Sequence, residues 1–312
     1  MATEPANSSP TPAFQAPPPE GLAAKIFLNQ EGLRAGWRLL LYAAFWLTLE
    51  FVGKILIFQI AAPNLNRLSP QSVLLSDFLD FASAYAAAFL MARLERRPMD
   101  VYGLPIRGAF RKSFWIGILL GLGEISLLIA LIAAFGGYSF GTLALHGAGL
   151  FGWGILWLVA FVFVGLSEEF LFRGYTQYTL ASGIGFWPVA LTLSLAFGAV
   201  HWGNPGEGIT GVLDVVVTGV VFAFVLRRTG NLWLAVGWHA SFDFGETFLF
   251  SVPDSGYVFD HHLSNATLHG PAWLTGGTIG PEGSVFSFVT MGLGALVIHF
   301  LFPAKKEWQN QG

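Results

Sequence analysis

Long apolar runs separated by short polar segments make up most of the chain between residues 38 and 302. A helix of about 20 mostly apolar residues spans the roughly 30 Å hydrocarbon core of a bilayer. The chain has such windows at 38–60, 73–92, 113–135, 149–167, 187–202, 209–226, 231–250 and 284–302. The pattern therefore predicts an all-α polytopic membrane protein with about eight transmembrane helices.

The basic residues predict how these helices are oriented. Lys and Arg collect in the cytoplasmic loops of membrane proteins. With eight helices, 14 of the 16 basic residues fall on the same side of the membrane. The exceptions are Lys54, which lies within the first helix, and Arg67, which falls on the opposite side. An odd number of helices would break this alternation. We therefore expect both termini in the cytoplasm, and an integral protein of a prokaryotic cytoplasmic membrane.

The composition supports the membrane interpretation and excludes several other classes. Hydrophobic residues make up 54% of the chain and charged residues only 11%, whereas soluble domains carry about 25% charged residues. A net charge of −3 without a basic stripe argues against nucleic acid as a partner, so the lipid bilayer is the expected one. The absence of cysteine excludes disulfides, thiolate nucleophiles and cysteine-ligated metals.

The N-terminal segment differs from the rest of the chain. Residues 1–20 contain six prolines and no Lys or Arg, a composition typical of a disordered, solvated tail. We expect residues 1–24 to form such a tail and residues 25–307 to form a single eight-helix membrane domain.

Ionisable residues inside the predicted helices are costly and suggest function by default. Some have a structural explanation. Glu50 and Lys54 are spaced i, i+4 and are expected to neutralise each other. Asp77 and Asp80 share a face near the start of the second helix, where they are expected to be interfacial or to pair with Lys54.

The segment 167–173 is harder to explain in this way. Glu169 and Arg173 form an i, i+4 pair, whereas Glu168 has no partner in its own helix. An unpaired carboxylate beside a paired one is the arrangement of a general base and its support. The alternative is a charged helix end at the membrane surface. For Glu168 to lie deep in the membrane, the fourth helix must continue unbroken to about Ala181.

Two histidine clusters lie on later helices. His201 follows Phe197 by one helical turn, and Asp243 follows His239 by one turn. A carboxylate one turn from an imidazole can fix its tautomer. At about 1.5 Å rise per residue, Glu168, His201 and His239 reach compatible depths if the fourth helix continues. The three residues are then expected to converge in a cavity that holds water.

These three motifs resemble the CAAX-protease and bacteriocin-processing family of intramembrane endopeptidases. The family pattern is E-E-x-x-x-R, then F-x-x-x-H, then H-x-x-x-(N or D). Here the pattern is Glu168-Glu169…Arg173, Phe197…His201 and His239…Asp243. Each motif alone is weak, but three in order on separate predicted helices are specific. The motifs cover about residues 150–250.

The resemblance implies hydrolysis of a peptide bond within the membrane, in a peptide or protein substrate. The substrates of the prenyl-protein proteases in this family carry a lipid. The resemblance implies that Glu168 and His201 activate water and that His239 and Asp243 stabilise the oxyanion. It also implies that Glu169 and Arg173 support the site. The prenyl-protein proteases have Asn where this chain has Asp243, and an ionised carboxylate would repel an oxyanion. Asp243 is therefore expected to be protonated, to orient His239, or to bind a metal.

Two alternatives stay open at this point. Glu168, His201 and His239 could form a His2Glu zinc site with an open fourth position, or Glu168 and His201 could deprotonate water without a metal. The chain lacks H-E-x-x-H, and we favour the metal-free water. A non-catalytic protein, either a transporter or an immunity-type scaffold, could instead use the same cluster as a proton or ion relay.

Overall fold

The structure is a computed structural model that describes residues 21–29, 32–62 and 65–303. Within these residues the fold is mostly helical, as predicted. The α-helices are α1 Leu22–Phe27, α2 Ala35–Lys54, α3 Pro70–Glu95, α4 Lys112–Ala134, α5 Gly147–Arg173, α6 Tyr175–Ile184, α7 Phe186–His201, α8 Ile209–Thr229, α9 Trp233–Phe244, α10 Ala272–Thr275 and α11 Val285–Leu301. Two antiparallel pairs of short strands complete the regular structure, β1 Leu28–Asn29 with β2 Gly32–Leu33 and β3 Tyr138–Ser139 with β4 Thr267–Leu268.

Each of the eight predicted windows falls on a helix. Five helical stretches are long and apolar enough to cross a membrane: α2 with its π-helical extension, α3, α4, α5 with α6, and α8. Helices α7 and α11 are shorter and apolar, and α9 continues through a π-helical turn, Gly245–Leu249. The protein is therefore integral to the membrane, while the count of eight crossings and the orientation of the termini stay predictions. Residues 1–20 and 304–307 of the two predicted regions lie outside the described residues, and α1 begins within the last residues of the predicted tail.

The outward sides of the helices carry large apolar side chains. Leu119 on α4 is 72% exposed and Phe151 on α5 is 69% exposed. A soluble monomer rarely exposes contiguous apolar surface on this scale. The predicted pair Glu50–Lys54 forms at 2.7 Å, and Lys54 also lies 3.0 Å from Asp80. Glu50 on α2 and Asp80 on α3 thus share Lys54 as their counter-ion.

Helix α9 is packed tightly against α4 through glycines. A Cβ atom on Gly117 would lie 2.2 Å from the carbonyl oxygen of Leu234, and one on Gly237 would lie 2.3 Å from that of Phe114. Small residues allow helix backbones to approach this closely in membranes. Helix α9, which carries His239, is therefore held in a fixed position.

The predicted unbroken fourth helix is interrupted once. Helix α5 ends at Arg173, and α6 begins at Tyr175 after Gly174. A Cβ atom on Gly174 would lie 2.4 Å from the carbonyl oxygen of Phe170, so only glycine allows this close turn. The prediction of a continuous helix is wrong at this residue, although helical structure continues to Ile184, beyond the predicted Ala181.

Candidate active site

A cavity of about 310 Å³ lies between the helices and brings the predicted residues together. Glu168 enters it from α5, His201 from the end of α7, and His239 and Asp243 from α9. The tight packing of α9 against its neighbours fixes where its two polar side chains project. Residues that are up to 75 positions apart in sequence therefore share one cavity.

The two adjacent glutamates have different environments. The side chain of Glu168 is 29% exposed, whereas that of Glu169 is completely buried. The Oε2 atom of Glu168 lies 3.7 Å from Nε2 of His239, which is longer than a hydrogen bond. Glu168 is thus accessible from the cavity, and this contact with His239 is too long to be a direct hydrogen bond.

His201 has a defined tautomer. Its Nδ1 atom lies 2.8 Å from the backbone carbonyl oxygen of Phe197. A carbonyl oxygen only accepts hydrogen bonds, so Nδ1 carries the proton. The Nε2 atom of a neutral His201 is therefore left with its lone pair, which can accept a proton.

His239 is held by carboxylates on both sides of its ring. Its Nδ1 atom lies 3.1 Å from Oε1 of Glu169, and its Nε2 atom lies 3.5 Å from Oδ2 of Asp243. With Glu169 ionised, Nδ1 is the donor, and Nε2 is directed toward Glu168 and Asp243. Three carboxyl groups, those of Glu168, Glu169 and Asp243, thus surround the ring, and an ionised Glu169 stabilises an imidazolium at this position.

The predicted pair Glu169–Arg173 is confirmed. Oε1 of Glu169 lies 3.1 Å from Nη1 of Arg173, and both side chains are almost fully buried. The guanidinium also lies over the ring of Phe197, 4.5 Å from its centroid, a favourable position for a cation. This pair links α5 to α7 and, through His239, to α9.

Asp77 also belongs to the cavity, which the sequence did not reveal. The hydroxyl of Ser167 donates to Oδ1 of Asp77 at 2.9 Å, and Asp77 lines the cavity beside Glu168. It is Asp80 that pairs with Lys54, so the structural explanation offered for Asp77 is wrong. Nothing in the spacing of the two aspartates distinguishes them. The one feature of the sequence that could have indicated a partner for Asp77 is Ser167, a hydroxyl donor immediately before the two glutamates.

Two carboxylates from the segment between α9 and α11 close one end of the cavity. Glu282 accepts hydrogen bonds from the backbone N–H and the hydroxyl of Ser255, both at 2.9 Å. Asp254 accepts from the hydroxyl of Thr247 at 2.8 Å. Burial raises the pKa of Asp254 and of Glu282, and in Glu282 the proximity of His201 partly offsets this. Neither residue lies in a recognisable motif, so sequence reasoning missed both.

The lining of the cavity is strongly acidic. The described residues that line the cavity include two histidines and seven carboxyl groups but no Lys or Arg. The carboxyl groups are Asp77, Glu124, Glu168, Asp214, Asp243, Asp254 and Glu282. Glu124 and Asp214 already have partners, since Glu124 accepts from Trp238 at 2.5 Å and Asp214 from Ser287 at 2.6 Å. Asp77, Asp254 and Glu282 have hydroxyl donors as well, whereas Glu168 and Asp243 lie beside the imidazole of His239.

The predicted zinc ligands do not form a compact group. Ligands of one zinc ion lie about 2.0–2.2 Å from it, and hence within about 4.4 Å of one another. Glu168 and His239 satisfy this at 3.7 Å. Within the described part of the chain, however, the three-residue group whose ligand atoms all lie within 4.8 Å is Glu246, Asp254 and Glu282. His201 therefore does not join Glu168 and His239 as a third ligand in this arrangement.

Comparison with known proteins agrees with the motifs. Residues 150–245 match the family model described as type II CAAX prenyl endopeptidase Rce1-like. All six predicted site residues, from Glu168 to Asp243, lie within the matched segment. No curated protein and no solved structure gives a significant match to the chain.

Proposed function

We propose that this protein is an intramembrane endopeptidase, since residues 150–245 match the family model of Rce1-like type II CAAX prenyl endopeptidases. The observation that carries the proposal is the shared cavity of Glu168, His201, His239 and Asp243. The cavity lies among apolar helices, where a peptide bond near the membrane can reach it.

In the proposed reaction, Glu168 and His201 activate a water molecule. Glu168 is partly exposed in the cavity, and its contact with Nε2 of His239, at 3.7 Å, is too long for a hydrogen bond that would have to break. His201 contributes Nε2 as a proton acceptor, because its Nδ1–H donates to the carbonyl of Phe197. The water loses a proton to this pair as its oxygen attacks the carbonyl carbon. The same proton then goes to the departing amine.

His239 and Asp243 stabilise the tetrahedral intermediate. A protonated Nε2 of His239 donates to the developing oxyanion, and this atom faces the cavity. A protonated Asp243 supplies a second donor from one turn further along α9. Donors placed in advance where charge develops are worth about 3–4 kcal/mol each in other hydrolases.

Glu169 and Arg173 act on the site through His239. Glu169 accepts from Nδ1 of His239 and is itself held by Arg173, each at 3.1 Å. This chain of contacts sets the orientation of the imidazole without either residue facing the substrate. We therefore assign Glu169 and Arg173 as positioning residues.

The proposed reaction uses no metal. Glu168 and His239 lie close enough for one ion, but His201 does not complete the group. A zinc ion held by Glu168 and His239 would supply Lewis acidity to the water. The tautomer of His201 and the accessibility of Glu168 account for water activation from the side chains alone.

The proposed substrate is a peptide segment that carries a lipid. The cavity has an extended apolar lining, which suits a hydrocarbon chain better than a polar side chain. The apolar lining residues are Val73, Phe161, Val164, Phe197, Val200, Val215, Phe222, Trp238, Phe242, Phe259 and Met291. A prenyl group beside the scissile bond would bury its surface against these side chains.

The family match favours a protease over the non-catalytic alternative, a transporter or immunity-type scaffold with a proton relay. The two functions differ in what they predict. A relay moves protons or ions without breaking a peptide bond, whereas a protease releases a peptide fragment with no transmembrane gradient.

The test is cleavage by the purified full chain in lipid nanodiscs. The substrates are internally quenched peptides with a C-terminal cysteine motif, in matched farnesylated and unmodified forms. We expect cleavage of the farnesylated peptide and a loss of about 10²–10⁴-fold in Glu168→Gln. The control is Asp100→Asn, which removes an exposed carboxylate that is not among the described residues lining the cavity. Full activity of folded Glu168→Gln would contradict the proposed role, and cleavage of neither peptide by the wild type would contradict the proposed substrate class.

A further inference from the structure

Glu246 is a buried carboxyl group without a visible partner. It lies in the π-helical turn after α9, is 0% exposed, and neither of its carboxyl oxygens has a hydrogen bond partner among the described residues. A buried carboxylate that lacks donors is strongly disfavoured. Either a proton or a cation must therefore satisfy it, and the surrounding side chains distinguish these possibilities.

Glu246 is directed into a group of three acids, which we call the acidic triad: Glu246, Asp254 and Glu282. One carboxylate oxygen from each lies within 4.8 Å of the others. Two oxygens bound to the same calcium ion, at about 2.3–2.6 Å each, are separated by at most about 5 Å. The spacing of the acidic triad therefore fits a single ion between its members.

The two partly satisfied members keep oxygens available for an ion. Ser255 donates twice to Oε2 of Glu282, and Thr247 donates to Oδ2 of Asp254. These bonds orient the carboxylates and leave Oε1 of Glu282 and Oδ1 of Asp254 without them. With both oxygens of Glu246, four carboxylate oxygens are available.

Among the described residues, the basic groups close to this charge are imidazoles, His201 near Glu282 and His239 near Asp254. Asp254 and Glu282 line a cavity that contains five further carboxyl groups and no Lys or Arg among its described residues. An enclosed site lined by one sign of charge attracts counter-ions. The acidic triad is therefore suited to a cation rather than to an anion.

We propose that the acidic triad binds a divalent cation, and that the cation is calcium. The ligands are all oxygens, which hard cations such as calcium prefer, whereas zinc sites in proteins usually include His or Cys. The irregular loop around Asp254 and Glu282 provides the flexible ligand geometry that calcium tolerates and magnesium does not.

The ion links three elements at one end of the cavity. Glu246 lies at the end of α9, Asp254 in the following loop, and Glu282 just before α11. The bound ion holds these elements together next to the proposed catalytic groups. The proposed role of the ion is structural. Its binding can therefore be measured in the absence of substrate.

The experiment uses the purified full chain in detergent after treatment with EDTA. Calcium chloride is titrated by calorimetry, and thermal unfolding is recorded in calcium chloride and in EDTA. We expect calcium binding with Kd of about 1 mM or tighter and a higher Tm in calcium. Glu246→Gln and Glu282→Gln should each weaken binding at least about 10-fold. Asp100→Asn is the control, because Asp100 is exposed and is not among the described residues that line the cavity, and this variant should bind calcium as the wild type does.

Several results would overturn the proposal. A wild-type Tm that is equal in calcium chloride and EDTA, together with no heat of binding, would show that Glu246 is a neutral acid. Unchanged calcium affinity in both triad variants would place any bound ion elsewhere. Stabilisation by zinc chloride but not by calcium chloride would exclude the assignment to calcium. If Glu246→Gln does not fold, Glu282→Gln decides the question, because Glu282 is only partly buried.

Discussion

The Nδ1 atom of His239 lies 3.1 Å from Oε1 of Glu169. The same carboxylate oxygen lies 3.1 Å from Nη1 of Arg173, so one oxygen holds two donors. This arrangement directs Nε2 of His239 into the cavity, where Glu168 and Asp243 lie. These contacts account for the different environments of the two adjacent glutamates. Glu169 is directed into the buried interior, and Glu168 is directed toward the cavity.

Glu169→Gln should destabilise the fold. An amide oxygen could still accept from both donors, but it carries no charge and leaves the buried guanidinium of Arg173 without its counter-ion. Loss of one partner from a buried ion pair costs about 3–5 kcal/mol. We expect a clearly lower Tm in detergent and reduced yield.

The matched control for this change is Glu50→Gln. Glu50 and Lys54 form the same i, i+4 geometry, but Lys54 is 38% exposed and also contacts Asp80. Loss of such a pair costs about 0–1 kcal/mol. Equal destabilisation by both variants would contradict the positioning role of Glu169, as would a stable but inactive Glu169→Gln beside an active Glu168→Gln.

His201→Ala should abolish cleavage and leave folding almost intact. The variant removes the proton acceptor at Nε2, and the expected loss in kcat is about 10²–10⁴-fold. His262→Ala is the control, because His262 makes the same kind of contact, from Nδ1 to the carbonyl of Ser264 at 2.7 Å. Activity and Tm are measured for both variants. Equal loss of activity in the two would indicate a general effect of removing an imidazole.

The sequence was sufficient for the helices and for the residues that follow helical spacing. Periodicity alone placed Glu169 one turn from Arg173 and Asp243 one turn from His239, and both pairs form. Hydrophobic runs located the helices because a membrane helix must be apolar along its length.

Other parts of the site depend on tertiary contacts that have no local pattern. Asp254 and Glu282 reach the cavity only because an irregular loop folds back over it, and no periodicity applies to such a loop. Asp77 was expected to be interfacial or to pair with Lys54 because it lies near the start of its helix, and its hydrogen-bond donor, Ser167, is 90 residues away in sequence. The break at Gly174 follows from close contact with Phe170, and a single glycine in an apolar run does not reveal such a contact.

Gly121→Ala should destabilise the protein, whereas Gly123→Ala should not. A Cβ atom on Gly121 would lie 2.2 Å from the carbonyl oxygen of Trp238 and equally close to the hydroxyl oxygen of Ser241, whereas one on Gly123 meets nothing within 4 Å. Overpacking of this kind costs about 1–3 kcal/mol, and Gly to Ala at an open helical site gains up to about 1 kcal/mol. Tm measurements on both variants test how closely α4 and α9 pack. Similar Tm values would contradict the close approach.

The predicted topology can be tested cleanly because the chain has no cysteine. Ile106, which is 75% exposed, lies between α3 and α4, and exposed Ala144 lies between α4 and α5. A membrane-impermeant maleimide should label Ala144→Cys in intact cells, but Ile106→Cys only after the membrane is permeabilised. The reverse pattern would contradict the predicted cytoplasmic termini.

Asp243→Asn tests the role of the residue that differs from the prenyl-protein proteases. The Oδ2 atom of Asp243 lies 3.5 Å from Nε2 of His239, so both groups can reach the same oxyanion. If Asp243 acts as a protonated donor, an amide of the same shape replaces it, and activity should stay within about 10-fold of the wild type. Asp243→Ala removes the donor and should lose about 10²–10³-fold in kcat. Steady-state cleavage by both variants, with Tm as a control for folding, distinguishes the possibilities. Loss in Asp243→Asn as large as in Asp243→Ala would instead indicate an ionised Asp243 that orients His239, and recovery only with added zinc would indicate a metal ligand.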